Sequence, residues 1–473
     1  MIKVVSFILA LVILFFGFAV YGRLTEKIFA PDDRKTPAVE LNDGVDYMPI
    51  KKWKAVLIQL LNIAGTGPIF GALMGACFGP VVFLWIVLGS ILGGAVHDYM
   101  SGMISERNSG ASIAQLSGKY LGKPAMYIMR AFSVLLLLLT GTVFITSPAN
   151  LIANMTPKAL SGSFWIAVIL IYYVLATLLP IDKLIGKLYP FFGIVLIVMA
   201  VSISGAMIFL PDYNIPEIKL ENLHTNGLPI WPYMFVTVAC GAISGFHSTQ
   251  SPMMAKCITS EKHGRYVFYG AMILEAVIAL VWAAAGIAFY GETSLLNAAI
   301  TENGQSGTVY EICRKMLGGA GGVLAVIGVV ACPITSGDTA FRSARLILAE
   351  WTGLDQKSIR NRLVITVPLL SVGAVLTQLD FNVLWRYFSW SNQTLAMIAL
   401  WVSTSYLMQN SKNCRYSLIT AIPGVFMSAV SMTYILMAKE GFRLSSSVAY
   451  PVGIVFAVSL FAVYAVFLSK ARR

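Results

Sequence analysis

His97, Asp98, His247, Glu275 and Asp338 are ionisable side chains set inside long apolar stretches of this chain. Charge is expensive in hydrocarbon, so each is a functional candidate by default. His247, with a reference pKa near neutrality, is the natural proton switch. The alternative is a buried histidine satisfied by backbone released from a helix. Glu275, about halfway along its apolar run, is either a proton carrier or one half of a structural hydrogen-bonded pair. His97 and Asp98, in the cytoplasmic half of their helix, read equally as an inner gate or structural network and as a substrate contact. Asp338 and Arg342 are four apart and share a helix face, which suits an ion pair.

His247 belongs to the stretch Gly241 to Pro252 (GAISGFHSTQSP), which interrupts an apolar run from about 230 to 258. An earlier stretch, Asn62 to Pro68 (NIAGTGP), interrupts the run from about 53 to 78 in the same manner. Backbone released from a helix at membrane depth costs several kcal/mol per group unless protein or an aqueous cavity satisfies it, so the breaks are expected to line something. Two discontinuous helices in matching places are the mark of a transport site, although Gly and Pro can also merely kink a membrane helix. Pro68 and Pro252 are read as first-turn prolines of restarted half-helices, with Ser251 as an N-cap. The positive ends of those half-helices favour a carboxylate, which makes Gly65, Thr66, Gly67, Ser244, Gly245, His247 and Ser251 the expected substrate contacts. Each serine taken alone could instead bond back to its own helix. Thr335, Ser336 and Thr339, facing the carbonyls of Ala64 to Gly67, would form a hard-oxygen cage for Na⁺; the alternative is interhelical packing by small residues. Ser391, Asn392 and Gln393 could hydrogen-bond substrate or only a neighbouring helix, and the neighbour is the preferred reading.

The setting for these groups is a membrane. The 473 residues are 57% hydrophobic and 12% charged, with a mean hydropathy of +0.76, which is the composition of a polytopic membrane protein. The net charge of +12 resides mostly in short loops, where it sets orientation, so no nucleic-acid partner is implied. Six cysteines show no metal-binding spacing and read as small buried hydrophobes. No metal is expected beyond a coupling Na⁺, and no cofactor.

Apolar runs of roughly 20 residues predict about 13 transmembrane helices. They make one transmembrane domain over 1–473: an extra N-terminal helix at 3–22, read as retained, a first repeat at 53–210, a second at 230–408, and two extra helices within 414–468. Short surface helices are expected at 112–121 and 308–317. Lys and Arg in alternate loops divide 25 against eight, placing the N-terminus outside and the C-terminus in the cytoplasm. The first broken helix then enters from the cytoplasm and the second, five helices later, from outside. That arrangement is an all-α, LeuT-like five-plus-five inverted repeat.

The stretches Ile63 to Ile69 (IAGTGPI), Gly94 to Asp98 (GAVHD), Arg107 to Ser112 (RNSGAS), Ser244 to His247 (SGFH) and Leu384 to Gln393 (LWRYFSWSNQ) resemble the carbon starvation protein A family. The similarity covers nearly the whole five-plus-five core. It implies an ion-coupled secondary transporter in the inner (plasma) membrane that takes up small carboxylate-bearing nutrients, peptides or pyruvate, when carbon is short. Ser248 to Lys256 (STQSPMMAK) departs from the Ser-Ser-Gly-Thr run of longer relatives and so bears on substrate choice.

The expectation is therefore a symporter driven by H⁺ or Na⁺, whose partners are a small-molecule substrate and the bilayer. An amino-acid transporter of the same fold is the alternative; a channel or membrane sensor fits less well. A channel would show charge rings or a carbonyl filter. An enzyme is not expected: no nucleophile-and-base motif or HExxH zinc pair occurs.

Overall fold

The computed structural model describes residues 4–44, 47–178, 181–356 and 358–470. These contain no strand, only an isolated parallel bridge between Ile50 and Ile258. In chain order the helices are α1 (Val5–Phe29), α2 (Lys52–Ile63), α3 (Gly67–Ala76), α4 (Val82–Arg107), α5 (Ile113–Leu121), α6 (Lys123–Met155), α7 (Gly162–Leu178) and α8 (Ile181–Phe209). They continue as α9 (230–242), α10 (Gly245–Ala255), α11 (Gly270–Tyr290), α12 (Thr293–Val326), α13 (Cys332–Thr352), α14 (Ile359–Leu376), α15 (Phe381–Asn410), α16 (Leu418–Met437) and α17 (Ser446–Lys470).

Nine helical segments among the described residues are long and apolar enough to cross a membrane, ten if the bent pair α2–α3 is one span. The sequence reading reaches about 13 by adding three more. Of these, α7 is short, α15 is rich in Ser, Thr, Asn and Gln, and 230–255 is interrupted. The end of the expected fifth helix, at 179–180, lies outside the described residues, as does Lys3. The first helix runs past the expected residue 22 to Phe29, where Ala30 turns into the left-handed region (φ 57°) and ends it. α12 bends at Gly304 and Gly318, both at positive φ, so the expected surface helix at 308–317 is its middle portion. The other surface helix, α5, starts with a capping box in which Ser112 and Gln115 bond each other's backbone.

Burial sorts the helices into layers. The apolar windows of α4 and of the segment leading into α11 are each 83% buried, whereas those of α1, α14 and α17 are 28%, 28% and 22%. Side chains such as Phe15, Phe16, Val375 and Phe467 therefore form an outward apolar coat, as lipid requires. The inner layer packs α10 along α4, α3 along α11, and α13 along α6.

The two breaks fall at the centre of this inner layer. Between α2 and α3 the axis turns by 51°, and Pro68 sits in the first turn of α3, where it removes no needed hydrogen bond. The second break is shorter than the sequence suggests. Only Ile243 and Ser244 are extended, and helix resumes at Gly245. Pro252 therefore lies within α10 rather than at its start, and Ser251 is not its N-cap. Ser244 holds that position, without a side-chain cap bond of its own.

The broken helices cross through glycine. A Cβ on Gly67 would stand 2.6 Å from Cys240 Sγ, one on Gly71 2.9 Å from the Thr237 carbonyl, and one on Gly75 2.2 Å from Val238. Three glycines at four-residue spacing form one face of α3, which lets its backbone lie against 237–240.

Candidate functional site

Around the breaks, side chains from distant helices satisfy the backbone that the breaks release. Ser90 Oγ donates to the Gly241 carbonyl at 3.1 Å, and Ser336 Oγ to the Leu61 carbonyl at 3.1 Å. Asn392 Oδ1 accepts from the Phe246 backbone N–H at 2.7 Å and from Ser244 Oγ at 3.1 Å. Asn392 thus caps α10 from α15, supplying what Ser244 does not. Gln393 Nε2 donates to the Phe235 carbonyl at 3.1 Å. Both amides serve a neighbouring helix, as the sequence suggests.

Beside the second break, four ionisable groups meet with no exposed side-chain surface. His247 Nδ1 lies 2.8 Å from Asp98 Oδ2, and His97 Nδ1 lies 2.8 Å from Asp98 Oδ1. His247 Nε2 approaches Glu275 Oε2 at 3.2 Å, within ion-pair range but not in hydrogen-bond alignment. α4, α10 and α11 each contribute to this line of carboxylates and imidazoles. An imidazole between two carboxylates can take a proton at one nitrogen and pass it from the other, and such low-dielectric surroundings strengthen every interaction along the line.

The remaining expected substrate contacts separate into two kinds. Gly245 is closed off, since a Cβ there would meet the Asn392 carbonyl at 2.3 Å and the Ala396 nitrogen at 2.5 Å. Gly67 faces Cys240, and Gly65 faces the Phe144 ring and, at 3.3 Å, Ser336 Oγ. These glycines serve close approach of helices. Thr66 Oγ and Ser251 Oγ, by contrast, are buried with no hydrogen-bond partner. So are both polar atoms of Gln59 and of Asn62 on α2, and Gln250 Oε1 on α10. Polar atoms orphaned in a core call for a ligand, ion or water. The amides were open to sequence reasoning as polar side chains within apolar runs, a signal the glycines and hydroxyls overshadowed.

Of the expected cation ligands, Ser336 alone reaches the first broken helix by a hydrogen bond. Thr335 Oγ1 donates to Cys332 and Thr339 Oγ1 to Ser336, both within α13. Ala64 ends α2 as its C-cap. Asp338 pairs with Arg342 at 3.4 Å, and Arg342 also donates to the Ala176 carbonyl.

Two pockets lie towards opposite ends of α6. One, of about 450 Å³, is lined by Asn108, Ser112, Thr249, Lys256 and Glu350, the last paired with Arg130 near the start of α6. The other, of about 440 Å³, is lined by Ser147, Asn150, Asn154, Thr301 and Asn382. Arg130 and Ser147 are separated by about 25 Å of helix. Phe144 and Phe246 meet edge to face between the breaks, ring centroids 6.4 Å apart.

At the end of α4, Arg107 makes a two-pronged pair with Glu261 (2.8 and 2.9 Å), donates to Tyr406 and to the Ala30 carbonyl, and stacks on Phe29. Glu261 also accepts from the Asp32 backbone. In the loop outside the helices, the Arg34 guanidinium holds the Asp32 carboxyl well below the usual range.

The helical layers, the two breaks and the buried polar line define a multi-pass membrane protein with the fold of membrane transporters. A manganese transporter of Eremococcus coleocola, in mutant form, superposes with a TM-score of 0.54 over 91% of this chain and 98% of that one, at 12% identity. The family model described as carbon starvation protein CstA matches residues 3–162, 153–309 and 304–434, and the chain belongs to that family. A membrane protein of Haemophilus influenzae is 43% identical over 62% of this chain and 94% of its own length. The peptide transporter CstA of Campylobacter jejuni is 26% identical over 93% of this chain and 81% of its own. The pyruvate/proton symporter BtsT of Escherichia coli is 26% identical over 54% and 45% respectively.

Proposed function

We propose that this chain is a proton-coupled secondary transporter that imports small carboxylate-bearing nutrients, peptides or pyruvate, across the inner membrane. The observation that carries the coupling is the buried line Asp98–His247–Glu275 at the second break. Relatives named as peptide transporters and as a pyruvate/proton symporter support the substrate class. The architecture we infer is the LeuT-like five-plus-five inverted repeat with 13 spans, over 53–210 and 230–408, N-terminus outside. Two discontinuous segments five spans apart and the Lys/Arg bias support it. Substrate then sits between the breaks, with Thr66, Ser251, Gln59, Asn62 and Gln250 as the polar atoms still open to it. The reading carries no enzymatic step and no cofactor.

Na⁺ coupling is the second reading, and one contact favours it: Ser336 Oγ on the Leu61 carbonyl brings a hydroxyl oxygen of α13 to the first break. The purified protein in proteoliposomes, offered labelled pyruvate, amino acids, di- and tripeptides with pH and Na⁺ gradients imposed separately, tests both. Accumulation driven by inward-directed protons alone supports the first. Uptake indifferent to pH and driven by Na⁺ replaces it with the second, and no saturable uptake of any carboxylate overturns the transporter reading.

A further inference from the structure

α4 and α10 run side by side in the same direction. Asp98 meets His247 at one end, and at the other a Cβ on Gly110 would stand 2.5 Å from the Lys256 side chain. Between these ends each helix carries one serine a turn beyond the ionisable cluster, Ser101 four residues after His97 and Ser251 four after His247, so each shares a helix face with its histidine. Serines buried in helices normally bond back to their own backbone, as Ser117 and Ser403 do here. Ser101 Oγ and Ser251 Oγ do not; both are buried and unpartnered, and so is His97 Nε2. One turn further on, Ser105 Oγ donates to the Ala111 carbonyl, and Ala111, Asn108 and Thr249 line the pocket at this end.

We propose that His97 Nε2, Ser101 Oγ and Ser251 Oγ form a proton path between the Asp98–His247–Glu275 cluster and the pocket lined by Asn108, Thr249 and Lys256. Asp98 beside Nδ1 of His97 holds a proton on that nitrogen and leaves Nε2 as an acceptor. Each hydroxyl accepts a proton on its oxygen as it releases its own to the next acceptor, with water filling the gaps, so nothing but the proton is displaced. The span from residue 98 to 107 is about 13 Å of helix, a distance that two hydroxyls and a few waters bridge. Of the other ionisable groups on the neighbouring helices, Asp338 and Arg342 on α13 pair with each other, Arg345 on α13 donates to Gln356, Arg107 on α4 pairs with Glu261, Glu350 at the pocket pairs with Arg130, and Glu106 on α4 is buried beside Glu261 with its Oε2 unpartnered. Lys256, which lines the pocket, holds its ammonium over the Tyr47 ring.

The path rests on the proton-coupled reading, and the experiment separates the two. Full-length protein in proteoliposomes is given labelled pyruvate or dialanine, under an inward proton gradient and, separately, in counterflow at equal pH, which needs no net proton movement. Ser101→Ala should slow gradient-driven accumulation by at least about tenfold while counterflow stays within about twofold. Ser101→Thr, which keeps the hydroxyl, should restore the gradient-driven rate. An alanine variant with unchanged gradient-driven uptake overturns the path and leaves the proton-coupled reading standing. Equal loss of both activities overturns it as well, since Ser101 then holds structure. If the unmodified protein accumulates neither probe under a proton gradient, it is the coupling reading that fails.

Discussion

His247 and Asp98, 149 residues apart, meet at 2.8 Å through Nδ1 and Oδ2 with no exposed surface on either side chain. Asp98 is shared, because its other oxygen holds His97. Asparagine in its place offers one acceptor and one donor where two acceptors are needed, and leaves an imidazole unmatched. Asp98→Asn should therefore abolish gradient-driven uptake and lower stability by about 1–3 kcal/mol. Detergent-solubilised melting together with uptake checks this. A variant that melts and transports normally would remove Asp98 from the coupling apparatus.

Gly67 should tolerate no side chain. A methyl group there overlaps both Cβ and Sγ of Cys240, and overpacking of this kind costs about 1–3 kcal/mol. Gly67→Leu is expected to insert in the membrane yet lose uptake. Cys240→Gly removes the opposing atoms, so Gly67→Ala with Cys240→Gly should recover most of what Gly67→Ala loses. Failure of that rescue, measured as a double-mutant cycle in melting temperature, would mean that the crossing at Cys240 is not what Gly67 protects.

The first break was legible because Gly-Thr-Gly-Pro at 65–68 announces both the interruption and the restart. At the second break the same reasoning chose Pro252, since proline favours a first turn, and missed Gly245. The reason is tertiary: the amide that caps α10 is Asn392, which lies 146 residues from the backbone N–H it accepts from. His97, Asp98, His247 and Glu275 were each recognisable as charge in an apolar run. Their assembly into one line was not, because it depends on how α4, α10 and α11 pack. Helical spacing gave Asp338 and Arg342 correctly, as an i, i+4 pair is a property of the helix alone.

Should Na⁺ drive transport, Ser336 and Thr335 are expected to differ. Ser336 Oγ touches the Leu61 carbonyl of the first broken helix, whereas Thr335 Oγ1 bonds within α13. Ser336→Ala should then raise the Na⁺ concentration for half-maximal uptake by about tenfold, the effect of losing roughly 1.4 kcal/mol of ligation, with Thr335→Ala much closer to the unmodified protein. Equal effects of the two would return both hydroxyls to a packing role.

Glu275 is the other end of the line, and its geometry makes a sharper test of proton coupling than Asp98 does. Its Oε2 stands 3.2 Å from His247 Nε2, and both carboxyl oxygens lack a well-aligned hydrogen bond. A carboxylate so placed has little structural work to lose, yet it can accept the proton that the imidazole releases. Glutamine keeps the size and shape of the side chain but cannot exchange a proton, so Glu275→Gln should leave melting within about 1 kcal/mol of the unmodified protein. Accumulation under an inward proton gradient should fall by about a hundredfold, the lower end of what a positioned acid or base contributes. Exchange of labelled for unlabelled substrate at equal pH should persist, because the loaded carrier can reorient without giving up a proton. Retained gradient-driven accumulation would make Glu275 a structural neighbour and leave His247 with Asp98 as the proton carriers; a collapse in exchange as well would mean that Glu275 helps to hold the substrate.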